Sequence, residues 1–501
     1  MRYSFLIIFS FFSICSIGQT TFQKIFYGQE VNKFFNVIQT SEGGYLIGGV
    51  TKNYGQGDDD IYLVRTDGLG DILWTKTYGS STQDFLYSLD PTSDGGYIIG
   101  GTISGHPSLL KMDSDGFIIW TKSYSYGAFA AHPCNDGGYA LFGTGLNGLT
   151  ITKTDYLGNI IWIKSYGPNV TLNNHFGSGF KQTSDNGFIF TGYAYNTLSG
   201  GPNAILVKTN DTGNILWAKS YGGDSHDEGV SVLQLSDGGF LLSGLSTSFG
   251  IFGDYVIRTT STGDTIWTRS FEFADAAWLE QTNNNSEFII TGGNGAACII
   301  KFDLNGDTLW TQRYSLSNGE QGNCIRSTHD GGFIIAGSTF LFGHLDSYLI
   351  KTDDNGNSAC NQEQPLYNVL RTQTQVTNIQ LSYSIISNPI FATSLTMSTG
   401  SMDTTLCLHD NIFEPHFSAG VIFSPNPFQN TARFEIKNSE LKINGSLLKI
   451  YNSMGCLMRE EKISNLNSYI LHRDGLCDGF YFYELRSLNS EQMSSGKFIV
   501  E

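Results

Sequence analysis

The sequence has few prolines, few basic residues and few long apolar runs. It holds 10 prolines against 59 glycines, and 29 lysines and arginines against 46 aspartates and glutamates, for a net charge of −17. This deficit of positive charge argues against a nucleic-acid partner, because proteins bind phosphate backbones through basic surfaces. After residue 18 we expect no transmembrane span. Abundant glycine with 13% aromatic residues is typical of an all-β chain with many tight turns.

The sequence also lacks the short motifs of several enzyme classes. It contains neither a G-x-S-x-G nucleophile elbow nor a P-loop. The loop histidines, His226 among them, do not have the spacing of metal ligands, and no matched pair of carboxylates marks a glycosidase site. No cofactor is therefore predicted, with one alternative left open. Asp58, Asp59 and Asp60 could offer carboxylates to calcium, or form a solvated loop.

What the sequence does have is one pattern that recurs seven times between residues 30 and 360. Aligned on the residue before the turn glycines, the copies start at Glu42, Asp94, Asp136, Asp185, Asp237, Asn285 and Asp330. The intervals of 52, 42, 49, 52, 48 and 45 residues match propeller blades, which place four strands in about 40 to 50 residues. The repeat predicts a seven-bladed β-propeller over residues 19–360.

Each copy contains two hairpins. In the first, Asp-Gly, Asn-Gly or Gly-Gly pairs separate two apolar runs, which predicts a tight primed turn. The second has a turn ending in glycine, and in six of seven copies a tryptophan follows four residues later. The pairs are Gly70 and Trp74, Gly116 and Trp120, Gly158 and Trp162, Gly213 and Trp217, Gly263 and Trp267, Gly306 and Trp310. We expect these tryptophans to be buried between neighbouring blades, because equivalent blades need one repeated packing group.

Glycine and basic residues also follow the repeat. A glycine lies seven residues after each aligned position, at Gly49, Gly101, Gly143, Gly192, Gly244, Gly292 and Gly337, and we expect blades converging on the axis to crowd it. Strand three carries Arg65, Lys111, Lys153, Lys208, Arg258, Lys301 and Lys351, and strand four carries Lys76, Lys122, Lys164, Lys219 and Arg269. These residues predict a stripe of side-chain packing and cation–π contacts between blades.

The two ends of the repeat region complement each other. Residues 20–28, TTFQKIFYG, look like the fourth strand of a blade, with Phe22 at the tryptophan position and Lys24 at the basic position. The seventh copy runs into Ser358-Ala359-Cys360 without a fourth strand of its own. The N-terminal strand should therefore pair with the strand that contains Tyr348 to Thr352 and close the ring.

The connections between strands two and three, and between strands four and one, vary in length and content. In an up-and-down blade both emerge on one face, and scaffolds carry function on such loops. We therefore expect any binding site on this variable-loop face or at its channel mouth. The candidate binding residues are Asp58, Asp59, Asp60, Tyr193, Tyr195, His226 and Asp227.

Residues 1–18 have the pattern of a secretory signal peptide, with Arg2, an apolar core from Phe5 to Ile14 and a small-residue ending. A lipoprotein alternative would use Cys15, but Ile14 is large for such a site. Residues 361–415 are rich in Thr, Ser and Asn and are predicted to be a spacer, either β-rich or partly ordered. Cys360 and Cys407 bracket it, and in an exported protein they are candidates for a disulfide.

A separate all-β module, a β-sandwich, is predicted for residues 416–501. Three elements follow in order: Pro425-Asn426-Pro427-Phe428, then Asp478-Gly479-Phe480-Tyr481, then Gly496-Lys497-Phe498-Ile499-Val500. Together they resemble the type A C-terminal sorting domain of the type IX secretion system, found on exported proteins of the Bacteroidetes. The resemblance implies engagement of the type IX machinery, passage through the periplasm, and a secreted or outer-membrane surface location. It says nothing about the activity of the exported part.

The hairpin from Asp67 to Trp74 resembles both the tryptophan-docking motif of quinoprotein propellers and the Asp-box of sialidases, but is out of register with each. Both motifs are structural in their families, so neither a quinone cofactor nor a sialidase site follows. Two function classes stay open: a binding or adhesion module for an extracellular glycan or protein, and a secreted polysaccharide hydrolase or lyase with its site at the channel mouth. The loops lack an obvious catalytic constellation, which favours binding. Convergence of carboxylates or histidines with shifted pKa values would favour catalysis.

Overall fold

The computed structural model describes residues 19–127, 130–145, 148–167, 170–171, 179–195, 201–248, 253–271, 278–293, 295–316, 319–358, 360–365, 369–380, 383–385, 396–398, 402–409, 421–424, 429–436, 447–452, 457–463, 468–476, 479–486 and 492–500. One compact unit runs from Thr20 to His409, and a second contains residues 410–501. Within the described residues every regular element is a β-strand. A search of these residues found no helix with the length and apolar character needed to cross a membrane.

Seven antiparallel sheets form the unit from Thr20 to His409, counted over its described residues. The chain begins with β1 (Thr21–Tyr27), which joins the last sheet. Sheet one contains β2 (Asn32–Gln39), β3 (Tyr45–Thr51), β4 (Asp60–Thr66) and β5 (Ile72–Gly79); sheet two contains β6 (Phe85–Pro91), β7 (Tyr97–Ile103), β8 (His106–Met112) and β9 (Ile118–Ser123). Sheet three contains β10 (Ala130–Pro133), β11 (Tyr139–Gly145), β12 (Gly148–Thr154) and β13 (Ile160–Tyr166).

The remaining sheets follow in chain order. Sheet four contains β14 (Val170–Thr171), β15 (Phe180–Gln182), β16 (Phe188–Tyr195), β17 (Pro202–Thr209) and β18 (Ile215–Gly222). Sheet five contains β19 (Asp227–Gln234), β20 (Phe240–Ser246), β21 (Gly253–Thr259) and β22 (Thr265–Phe271). Sheet six contains β23 (Trp278–Gln281), β24 (Glu287–Gly292), β25 (Ala297–Asp303) and β26 (Thr308–Tyr314), and sheet seven contains β27 (Gln321–Ser327), β28 (Phe333–Thr339), β29 (Asp346–Thr352) and β1.

The hydrophobic cores lie between the sheets rather than inside any one of them. Leu63 of sheet one packs in one cluster with Ile99 of sheet two, and Phe142 of sheet three packs with Phe190 of sheet four. The cluster that contains Ile335 of sheet seven extends to both neighbouring sheets, six and one. Face-to-face packing of successive sheets, returning from the last to the first, is the arrangement of a β-propeller.

The N-terminal strand completes sheet seven, as the sequence predicts. β1 pairs antiparallel with β29, with Phe22 opposite Lys351 and Ile25 opposite Tyr348. The amide of Asn323 in sheet seven donates to the carbonyl oxygen of Phe34 in sheet one at 2.7 Å. The predicted pairing of residues 20–28 with the strand from Tyr348 to Thr352 is therefore confirmed.

The segment predicted as a spacer adds strands to the outer edges of the sheets. Its strands are β30 (Gln362–Glu363), β31 (Val369–Thr372), β32 (Gln375–Asn378), β33 (Tyr383–Ile385), β34 (Thr396–Ser398) and β35 (Met402–His409). They pair in turn with β26, β22, β18, β13, β5 and β1, and so visit sheets six, five, four, three, one and seven. We call residues 362–409 the belt. It covers edge strands that would otherwise expose unpaired backbone groups.

An aromatic side chain from each sheet packs on the turn glycine of the next. A Cβ built on Gly263 would lie 2.9 Å from Trp217, and the hydroxyl of Tyr221 donates to the Gly263 carbonyl oxygen at 2.6 Å. Phe22 takes the tryptophan position against Gly70, as predicted. The six repeat tryptophans do lie between neighbouring sheets, but they are half-buried rather than largely buried. Their partners are turn residues at the end of the sheet, where the ring edge meets solvent.

The basic residues of the repeat divide into two groups with different partners. The basic residues of the third strand form ion pairs with the acidic residue at the hairpin turn of their own sheet, as Lys208 does with Asp185 at 2.9 Å. Strand four bases reach the next sheet, as Lys219 does to Asp264. Cation–π contacts accompany the second group: the Arg269 guanidinium lies 5.1 Å from the Trp267 ring centroid. The predicted contact between blades holds for strand four. The strand three bases bind hairpin turns of their own sheet, and Arg258 also donates to the Leu304 carbonyl oxygen of the next sheet at 3.3 Å.

Two local predictions about glycine need correction. The backbone of Gly43 is left-handed, with φ of 86°, whereas that of the preceding Glu42 is not. The Gly43 N–H donates to the carbonyl oxygen of Thr40 at 3.0 Å. One left-handed residue after a four-residue turn is a type I turn with a bulge, not a primed turn. The crowding at Gly49 comes from the Lys33 carbonyl oxygen, 1.8 Å from an added Cβ, where a bulge brings strand one close. Convergence of blades on the axis is not its cause.

The unit that contains residues 410–501 has two antiparallel sheets in its described part. Its strands are β36 (Val421–Ser424), β37 (Thr431–Ile436), β38 (Leu447–Asn452), β39 (Leu457–Lys462), β40 (Ser468–His472), β41 (Gly479–Arg486) and β42 (Gln492–Val500). One sheet has the order β36-β37-β40 and the other β39-β38-β41-β42. Ala432 and Leu471 from the first sheet pack with Ile450 and Phe498 from the second in one core.

Candidate functional site

Three of the predicted binding residues meet on the variable-loop face. The ring of Tyr193, near the end of β16, lies 5.8 Å from that of Tyr195 and 5.8 Å from that of His226, which precedes β19 of the next sheet. Nε2 of His226 lies 3.1 Å from Glu228 Oε2, and Tyr195 is 64% exposed. The loops therefore present a small exposed group of aromatic side chains at the boundary of sheets four and five.

Asp227 does not share this exposure. Its carboxylate is fully buried and accepts hydrogen bonds from Ser248 Oγ at 2.6 Å, from the Gly223 N–H at 2.8 Å and from the hydroxyl of Ser246. A carboxylate with this set of donors fixes the surrounding loops in place. Asp227 therefore supports the aromatic group without facing a ligand.

The three consecutive aspartates are in different environments. Asp58 lies 2.6 Å from the Lys52 ammonium and is exposed. Asp60 is buried, and its Oδ1 has no hydrogen-bond donor among the described residues. Burial raises the pKa of Asp60 to about 6 against a backbone hydrogen bond from Gln56, with a smaller contribution from Asp84. Among the described residues, no group of three or more His, Cys, Asp or Glu side chains is placed to hold a metal ion. Calcium binding stays a hypothesis.

The described part of the predicted sorting motif lies on two paired strands. Gly479 and Tyr481 are in β41, and Gly496 and Lys497 are in the neighbouring β42, where Tyr481 stands opposite Phe498. The Tyr481 and Phe498 rings stack with their centroids 5.6 Å apart. The first motif element, Pro425-Asn426-Pro427-Phe428, lies outside the described residues.

The candidate disulfide lies beside the closing strand. Cys360 is disulfide-bonded, and its carbonyl oxygen accepts a hydrogen bond from the Gln23 amide at 2.5 Å. Across the sheet, Gln23 pairs with Cys407 of the belt. The pairing of Cys360 with Cys407 stays a prediction, since the Cys407 side chain is outside the described set. Cys134, Cys298 and Cys324 are buried.

A cluster that the sequence analysis did not identify lies at the other end of the ring. Five polar side chains from the first strands of five sheets meet there: Asp90 in β6, His132 in β10, Lys181 in β15, Glu280 in β23 and Arg326 in β27. Arg326 lies 2.9 Å from Glu280 and 4.0 Å from Asp90, and His132 lies 2.5 Å from Asp90. Sheets two and seven are separated by sheet one, so this contact places the cluster at the ring axis. We call these five residues the channel cluster.

The channel cluster is on the face opposite the variable loops. First strands run from a variable connection toward a short turn, and the cluster residues lie at their far ends, four or five residues before the aligned turn positions. Two cavities open there, of about 490 and 320 Å³, and Lys181 lines both. The predicted position of a site on the variable-loop face therefore does not include these two charged cavities.

The carboxylates of the channel cluster are neutralised by their neighbours. Burial alone would raise the pKa of Asp90, but the charges of His132, Lys181 and Arg326 outweigh it and hold that pKa well below its usual range. Glu280 accepts from Arg326 and, at 3.3 Å, from the indole N–H of Trp278. Asp90 is therefore not placed to act as a general acid near neutral pH.

Lys181 has no such partner. Its ammonium lies 5.9 Å from the Trp278 ring centroid, yet among the described residues it makes no hydrogen bond or ion pair. Burial lowers the pKa of Lys181, Arg326 lowers it further, and Asp90 and Glu280 oppose the shift. Lys181 is thus the cation of the channel cluster that a ligand can reach and neutralise.

Comparison with known proteins gives a fold-level likeness only. No family model matches the chain, and no curated protein matches it. Among solved structures, a fungal alcohol oxidase of the AA5 family in complex with copper is 9% identical over 97% of this chain and 100% of that chain, with a TM-score of 0.45. The Dos1 propeller is 10% identical over 66% and 87%, with a TM-score of 0.41. The β-propeller domain of Cps50 from Myceliophteria thermophila is 11% identical over 64% and 97%, with a TM-score of 0.40.

The fold is that of a β-propeller. This assignment rests on the sheets and the cores between them, because TM-scores below 0.5 do not carry it. Nothing in these likenesses transfers an activity, a metal or a partner to the chain.

Proposed function

We propose that this chain is an exported binding protein. In the proposal, a seven-bladed propeller closed by the N-terminal strand presents a ligand site, and the C-terminal unit is a β-sandwich that acts as a type IX sorting domain. The protein is secreted or held at the outer-membrane surface after passage through the periplasm. Its extracellular ligand is a glycan or a protein.

One observation favours binding over catalysis. Charged groups from five sheets converge in the channel, which satisfies the first condition for a catalytic site. However, Asp90 and Glu280 are engaged by Arg326 and His132 instead of being set apart as acid and base. Hydrolysis of a glycosidic bond requires two carboxylates in those separate roles. The arrangement is suited to holding a charged ligand and gives no acid–base couple.

Export is supported by the sequence of the C-terminal unit and by the core that this unit has of its own. The unit has its own core, and β41 and β42 carry two of the three motif elements side by side. A compact domain with a separate core can be recognised and removed without disturbing the propeller.

The binding proposal is tested with an array of glycans and extracellular proteins probed with the full chain. The matched variants are Lys181→Met in the channel cluster and Tyr193→Ala on the variable-loop face. We expect a specific ligand whose signal is lost in one variant and kept in the other. If no ligand gives a specific signal, or if both variants give equal signal, the proposal that the propeller carries a binding site at either position is wrong.

A secreted lyase or hydrolase is the alternative, and the lowered pKa of Lys181 is the observation that favours it, because a lysine base must lose its proton. The assay incubates the full chain with acidic and neutral polysaccharides and follows new reducing ends and unsaturated products. A binding protein gives no turnover. Turnover that Lys181→Met abolishes would replace the binding proposal with the enzymatic one.

A further inference from the structure

The channel cluster occupies a repeat position that varies in an otherwise regular repeat. Its seven occupants, in sheet order, are Ile38, Asp90, His132, Lys181, Leu233, Glu280 and Arg326. The packing positions of the same repeat hold nearly one residue type throughout, as the tryptophans and turn glycines do. A position that only packed the ring would be expected to repeat as well, since equivalent sheets need equivalent groups. Variation at a strand position that faces the ring axis points to an asymmetric ligand.

We propose that the Lys181 end of the channel binds a small polyhydroxylated monocarboxylate, of the uronic acid class. This inference rests on the proposed function of a binding protein and names the chemistry of its ligand. It places the ligand carboxylate on Lys181 and the ligand hydroxyls in the two cavities on either side.

The charges of the channel cluster indicate that the ligand carries a carboxylate. Arg326 is engaged by Glu280 and Asp90, and His132 by Asp90, so Lys181 is left to pair with an incoming anion. An ammonium desolvated beside the Trp278 ring gains a charge-assisted hydrogen bond from a ligand carboxylate. A phosphate dianion would call for a second uncommitted cation, which the described cluster does not offer.

The side chains that line the two cavities indicate that the ligand carries hydroxyl groups. Thr282, Asn283 and Asn285 line the cavity of about 490 Å³, and Thr183 and Ser184 line the one of about 320 Å³. Amide and hydroxyl side chains both donate and accept, which is what sugar hydroxyls require. The volumes fall at the lower end of the range for small-molecule sites, about 300 to 1,000 Å³.

The experiment titrates the full chain by calorimetry with D-galacturonate, with D-galactose as the uncharged match and with inorganic phosphate. We expect galacturonate to bind, galactose to bind at least about tenfold more weakly, and Lys181→Met to weaken galacturonate by about ten- to a hundredfold, the effect of losing a charge-assisted hydrogen bond. Lys52→Met, which removes an ammonium on the variable-loop face, should leave the affinity unchanged.

Each contrary result has a separate meaning. If galacturonate does not bind, if galactose binds equally well, or if phosphate is preferred, the proposal that the ligand is a monocarboxylate is wrong. These three comparisons use only the unaltered chain. Galacturonate binding that survives in a folded Lys181→Met chain would overturn the site. A neutral ligand found on the array and held equally by Lys181→Met would also overturn it, while leaving the binding function intact.

Discussion

At the scale of single residues, the most repeated contact in the ring is an aromatic side chain over the turn glycine of the next sheet. We expect Trp217→Ala to lower the free energy of unfolding by about 3 kcal/mol, because it removes a packed aromatic and leaves a gap against Gly263. Urea denaturation followed by circular dichroism measures the change. The matched control is Ile266→Ala, which truncates a 48% exposed side chain on the equivalent strand of the next sheet and should cost less than about 1 kcal/mol. Equal losses in the two variants would mean that the contact does not hold the sheets together.

Asp60 gives a second test at this scale, through pH. Its folded pKa is raised from 3.8 to about 6, so the folded state holds the proton more tightly than the unfolded state. The stabilisation is complete below about pH 4 and is lost as the pH rises through about 6. Asp60→Asn should therefore raise stability at pH 7 to 8 by about 3 kcal/mol and have little effect near pH 4.

The measurement for Asp60 is the midpoint of thermal unfolding between pH 4 and 8. Asp58→Asn is the control, because Asp58 is exposed and paired with Lys52. A constant difference between Asp60→Asn and the parent chain at every pH would show that the carboxyl does not titrate in this range.

At the scale of elements, the belt is the feature that changes the interpretation of the sequence. A chain ending at residue 358 should self-associate, because six outer strands lose the partners that β30 to β35 supply. A chain ending at residue 409 keeps the belt and should stay monomeric. Light scattering of the two chains at equal concentration makes the comparison. A monomeric chain ending at 358 would show that the outer edges need no cover.

The repeating elements were predictable and the belt was not, for a physical reason. Strands two to four of each copy carry turn glycines, alternation and a tryptophan, so local signals determine them. The belt strands are short and polar, as in Gln375–Asn378, and they become strands only because an existing edge accepts them. Turn type was misjudged for a similar reason, since glycine pairs permit both primed turns and type I turns with a bulge.

At the scale of the whole molecule, the channel cluster shows what a single sequence conceals. Asp90 and Arg326 are more than two hundred residues apart and come from non-adjacent sheets, so only ring closure brings them within 4.0 Å. The one available signal was the departure of Lys181 and its equivalents from the repeat. On the opposite face, Tyr193, Tyr195 and His226 lie on loops that the sequence identified as variable, whereas the contacts between their rings were not predicted.

The claim that this chain is an exported binding protein is tested most directly by where the chain is found. The full chain and a chain ending at Pro415 are expressed in a type IX-competent host, and periplasm, surface and medium are probed with one antibody against the propeller. We predict that the full chain reaches the surface or medium and that the shorter chain stays in the periplasm. Equal surface yield of the two chains would contradict the sorting role of the C-terminal unit.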